Sequence, residues 1–162
     1  MKRYLRRYLD RTSGGNVFCL LLVMGAGGLI VFGSLNPWWS ALVDEVGDTI
    51  SLNGVQGNSE GWVTLICGAL AAAIAVAALV RPSRVAFAIA AALFLLGAGI
   101  AVYNVSFLPT VSSAYIVVFA ADKMPAASHK WGLWLCLIAS LAGLTVCVPQ
   151  VVRKWPQSSL TA

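Results

Sequence analysis

Four long apolar runs, separated by short polar or proline-marked breaks, dominate this chain. They cover about residues 17–35, 62–80, 85–105 and 131–149, with Asn36-Pro37, Arg81-Pro82, Pro109 and Pro149 as stop signals. Proline lacks an N–H and clashes with the preceding turn, so each proline predicts a helix end. A helix rises about 1.5 Å per residue, so each run is long enough to cross a ~30 Å hydrocarbon core. In lipid each backbone polar group must pair within its own segment, which makes the runs helices. The alternating ~10-residue segments of a membrane barrel are not present. The expected fold is an all-α integral membrane protein, a single membrane domain over 1–162 with four transmembrane helices.

The remaining segments predict smaller elements. Residues 2–11, KRYLRRYLDR, gather Tyr4, Leu5, Tyr8 and Leu9 on one arc, with Arg3, Arg6 and Arg7 opposite. This is a short cytoplasmic amphipathic N-terminal helix that lays basic side chains against anionic headgroups. Thr12 to Asn16 reads as a flexible turn. The link 81–84 is short enough to make spans two and three an antiparallel hairpin. Within the first outer loop, 36–61, the run Thr49 to Val55 alternates around Asn53-Gly54 and predicts a small β-hairpin. In the second outer loop, 106–130, Thr110 to Lys123 is too short to span and predicts an outer-face interfacial helix. A five-span alternative takes Val105 to Ala121 as a further crossing. The first span reads as a retained signal-anchor, because its core is long for a signal and no A-x-A precedes Asn36 or Trp38.

Composition sharpens the class. The chain is 59% hydrophobic and 10% charged, against about 25% charged in soluble domains. That excludes a soluble enzyme, a disordered tail and a nucleic-acid module, despite the net charge of +5. Nine of the 11 basic residues fall in the two tails and the 81–84 link; the exceptions are Lys123 and Lys130. The positive-inside rule then puts both termini in the cytoplasm. Trp38, Trp39, Trp62, Trp131 and Trp134 fall at outer span ends and Trp155 past the inner end of the fourth, where indole rings anchor at headgroup depth.

Candidate chemistry is sparse. No Asp, Glu, Lys, Arg or His lies inside a span, which weighs against proton relays and ion-coupled transport. Asp44, Glu45 and Asp48 form an outer acidic cluster, readable as a solvated face, a hard-cation site or the vestibule of a pore. His129 is the lone histidine. Cys67 and Cys136 share an outer depth, and Cys19 and Cys147 an inner one. A Cys67–Cys136 disulfide or soft-metal site requires spans two and four to touch; otherwise the thiols are small apolar residues. No catalytic residue, cofactor or metal is expected. Gly25, Gly28, Gly68, Ala72, Gly97 and Gly143 are interface candidates, since small residues let helix backbones approach closely.

The Trp-rich end of the first span, the string Ser51-Leu52-Asn53-Gly54 and the pair Gly61-Trp62 resemble small four-span membrane proteins of actinobacteria and their phages, over about residues 30–80. The resemblance implies a bacterial cytoplasmic (inner) membrane protein. Some phage-encoded four-span proteins exclude other phages by altering the host membrane. Trp131-Gly132-Leu133-Trp134 with Cys136 and Cys147 matches the claudin signature in letters only, because in claudins that motif lies in the first extracellular loop and here it opens the fourth span. The expected function is non-enzymatic: an accessory subunit, assembly factor or scaffold acting by association with membrane lipids, other subunits or itself. The alternative is a homo-oligomeric pore or membrane-perturbing protein, for which Thr64 and Thr145 supply polar groups within the spans.

Overall fold

The computed structural model describes residues 14–42, 49–57, 59–80, 83–106 and 127–152. In chain order these form α1 (Gly14–Ser34), β1 (Pro37–Leu42), β2 (Thr49–Asn53), α2 (Gly54–Gly57), α3 (Ser59–Val80), α4 (Arg84–Ser106), β3 (Ala127–His129) and α5 (Trp131–Val152). The expected N-terminal helix with Arg3, Arg6 and Arg7, the acidic cluster Asp44, Glu45 and Asp48, the helix over 110–123, and Trp155 lie outside the described residues.

Helices α1, α3, α4 and α5 are long and apolar enough to cross a membrane. They are the spans of a multi-pass membrane protein. Their outward surfaces carry Phe18, Leu29, Phe32, Ile66, Leu95 and Ile138, all exposed as lipid-facing side chains are. The helices pack as a ring. α1 contacts α3 and α5, and α4 contacts the same two, so α1 and α4 occupy opposite corners. The ends Gly14 and Val152 come together at one end of the ring, where Gln150 of α5 reaches Cys19 of α1.

Local signals set the helix boundaries. Ser83 precedes α4, and its hydroxyl accepts the Ala86 N–H at 3.1 Å, satisfying a first-turn donor. Glu60 places an acidic side chain in the first turn of α3, where the helix dipole favours it. Two expected boundaries move. α1 begins at Gly14, so Gly14, Gly15 and Asn16 are helical where a flexible turn was expected. α5 runs past Pro149 to Val152. The proline is exposed and sits in the last turn, where one missing N–H and a clash with the preceding turn are accommodated.

The fold is not all-α. The end of the ring opposite Gly14 and Val152 carries a three-stranded antiparallel sheet in the order β2-β1-β3. β1 is the central strand, with Ser40 opposite Ser51 on one side and Ser128 on the other. The expected hairpin about Asn53-Gly54 is therefore corrected. Thr49–Asn53 pairs with Pro37–Leu42, and Asn53 closes the strand by capping the helical turn α2, its Oδ1 accepting the Gln56 N–H at 2.9 Å. Asn and Gly serve a helix cap as readily as a tight turn, and the long-range pairing with β1 decides between them.

Candidate functional site

Beneath the sheet lies a buried knot of aromatic and polar groups. The pairing of β1 with β2 shifts between Pro37 and Trp39, so Trp38 is an extra residue in a β-bulge. A regular strand sends consecutive side chains to opposite faces; the bulge bends the strand here, and both indoles are buried, Trp38 at 0% and Trp39 at 6% exposure. Their rings meet edge to face, with centroids 6.0 Å apart and planes at 88°. Trp38 Nε1–H donates to the Gly33 carbonyl at 3.0 Å. The Gly54 backbone lies against the Trp38 ring, where a Cβ would come within 2.5 Å. Trp38 and Trp39 are thus core residues of the cap and not headgroup anchors. Trp62, Trp131 and Trp134 are exposed at the first turns of α3 and α5, and Trp131 tilts against Phe32 at 5.8 Å.

The knot continues into the ring. Ser34 Oγ donates to the Ile30 carbonyl at 2.9 Å and lies 3.7 Å from Cys136 Sγ, which also approaches that carbonyl at 3.5 Å. Ser40 and Ser128 hydroxyls pair at 3.0 Å across the strands. His129 Nε2 lies 3.2 Å from the Asn104 carbonyl in the last turn of α4, and Lys130 N–H donates to the Trp38 carbonyl at 2.7 Å. These contacts tie the sheet to α1, α4 and α5. They also use most of the polar groups there, and Trp39 Nε1 is a buried donor without a partner among the described residues.

The interface candidates divide into two groups. Gly68 and Ala72 face Gly27 of α1, where an added Cβ would stand 2.6 Å from the Gly68 carbonyl oxygen. Gly143 lies under the Phe94 ring, and Gly97 faces Ser140 Oγ. These four are seams inside the ring. Gly25 and Gly28 instead face away from it, with nothing within 4 Å of an added Cβ. The interface candidates read from the sequence leave out Gly27, Gly33 and Gly132. A Cβ on Gly33 would meet Cys136 Sγ at 2.7 Å, and one on Gly132 would meet the Pro37 carbonyl oxygen at 2.7 Å. The findable signal was the row Val23, Gly27, Ile30 and Ser34 at helical spacing, all buried on one side of α1.

The remaining candidates resolve as follows. All four cysteines are free, and Cys67 and Cys136 do not pair, because α3 and α5 occupy opposite corners of the ring. Thr64 is buried and donates to the Glu60 carbonyl, while Thr145 donates to the Ala142 carbonyl. Both hydroxyls are bonded to their own helix. Among the described residues no three His, Cys, Asp or Glu gather as a metal would need. These features define a class, a multi-pass helical membrane protein with a β-capped end. Comparison with protein families, with curated proteins and with solved structures finds no match.

Proposed function

We propose that this chain is a non-enzymatic membrane protein that works by association, as an accessory subunit, assembly factor or scaffold in a bacterial inner membrane. In this reading both termini are cytoplasmic, the basic arm at Arg3, Arg6 and Arg7 rests on anionic headgroups, and the β-cap faces outward. The observation that carries it is the outward face of α1. Gly25 and Gly28 stand there in open space, flanked by exposed Leu21, Leu29 and Phe32. Glycine disfavours a helix by about 1 kcal/mol relative to alanine and offers lipid no side chain. A neighbouring helix that approaches the backbone closely gains packing from it. The partner is another membrane subunit or a second copy.

Gly28→Leu tests this reading. The substitution fills open space, so the monomer fold is expected to survive. Cross-linking in native membranes is expected to lose its heavier species at least fivefold. An unchanged cross-linking pattern with Gly28→Leu and Gly25→Leu together would remove α1 as the association face.

A further inference from the structure

Residues paired across neighbouring strands share a face of the sheet. Trp39, Leu52 and His129 therefore lie on one face, and Ser40, Ser51 and Ser128 on the other. The first face looks onto the helix ends, since Trp39 is buried and His129 meets the Asn104 carbonyl of α4. Ser51 and Ser128 are exposed on the second. The sheet thus lies across the end of the ring, with its strands close to the membrane plane. β1 is paired on both sides, and β2 and β3 are the edge strands. An open edge is a row of unpaired N–H and C=O groups, which proteins blunt with short strands, charges or proline. β3 is blunted by its length of three residues. β2 has five residues, Thr49–Asn53, with neither a charged residue nor a proline among them. After Asn53 the chain turns inward, where Gly54 lies against the Trp38 ring and the Gly61 backbone, on the β1 side and away from the open edge.

We infer that the open edge of β2 docks β2 of a second copy of this chain, joining two three-stranded sheets into one of six strands. Helices that span one membrane hold the sheet of every copy at the same height, so the two edges meet level. A half-turn about the membrane normal reverses a strand that lies in the plane. Two copies of like orientation therefore present β2 to β2 antiparallel, the arrangement whose hydrogen bonds run straight across. The interface is isologous and closes at two copies. The register that overlaps all five residues sets Ser51 opposite Ser51 of the second copy, on the exposed face. This edge is separate from the outward face of α1, and the inference does not rest on the association proposed there.

The test uses the full chain in native membranes. In a cysteine-free background, Ser51→Cys should give a disulfide-linked dimer on mild oxidation, and Ser128→Cys, on the same face of the other edge strand, at least fivefold less. In the chain with its own cysteines, Ser51→Lys alone and Ser51→Glu alone should each lower the dimer seen by native mass spectrometry at least fivefold, and their co-expression should restore it. Both arms repeated with Gly28→Leu, which removes the α1 face, should give the same contrasts. Equal linkage at positions 51 and 128, linkage of position 51 to a different protein, or a dimer that the two charges leave unchanged or fail to restore together overturns the proposal. The charge exchange decides the matter even if the cysteine-free chain fails to fold.

Discussion

At the residue scale, the decisive feature is how little space separates the helices. Where backbone meets backbone, as at Gly27 and Gly68, no side chain can shift to make room, because the neighbouring atom is a carbonyl oxygen. Overpacking of this kind costs about 1–3 kcal/mol. Gly68→Ala is therefore expected to lower the thermal unfolding midpoint in mild detergent by several degrees. Gly28→Ala, in open space, is expected to leave it unchanged or raise it, since alanine is the better helix former. Equal effects at the two positions would contradict the ring order. Composition had marked Gly25, Gly28 and Gly68 alike. The phase of each glycine around its helix separates them, and only the buried neighbours fix that phase.

At the element scale, the four spans were legible because 20 apolar residues in lipid leave the backbone one solution. The sheet was legible only in part. The alternation over Thr49–Asn53 announced a strand, but its partner lies at Pro37–Leu42, where Pro37, Trp38 and Trp39 read as a span end and an aromatic belt. A bulge breaks the period-two pattern that would have shown β1 as a strand, and β3 has three residues, too short for any period. Long-range pairing, invisible in local pattern, decides the cap. Its register is directly testable. In a cysteine-free background, Ser40→Cys with Ser128→Cys should form a disulfide on mild oxidation, because the two positions are paired and their hydroxyls lie 3.0 Å apart. Ser51→Cys with Ser128→Cys, on strands separated by β1, should not join within one chain. The reverse result would refute the strand order β2-β1-β3.

At the scale of the whole molecule, a ring of four helices sealed by its own glycine seams and closed at one end by a sheet presents mainly lipid-facing side chains, with Gly25 and Gly28 of α1 and Gly99 of α4 open on its outer surface. Among its buried polar groups, Ser34, Thr64, Cys136 and Asn104 bond to helix carbonyls or to one another. In the proposed reading such a body acts through what it binds. Native mass spectrometry after gentle extraction from the source membrane tests this most directly. The account predicts a complex of fixed stoichiometry, with other subunits or with further copies of this chain, that Gly28→Leu weakens. A monodisperse monomer that carries no protein partner at any extraction strength would contradict it.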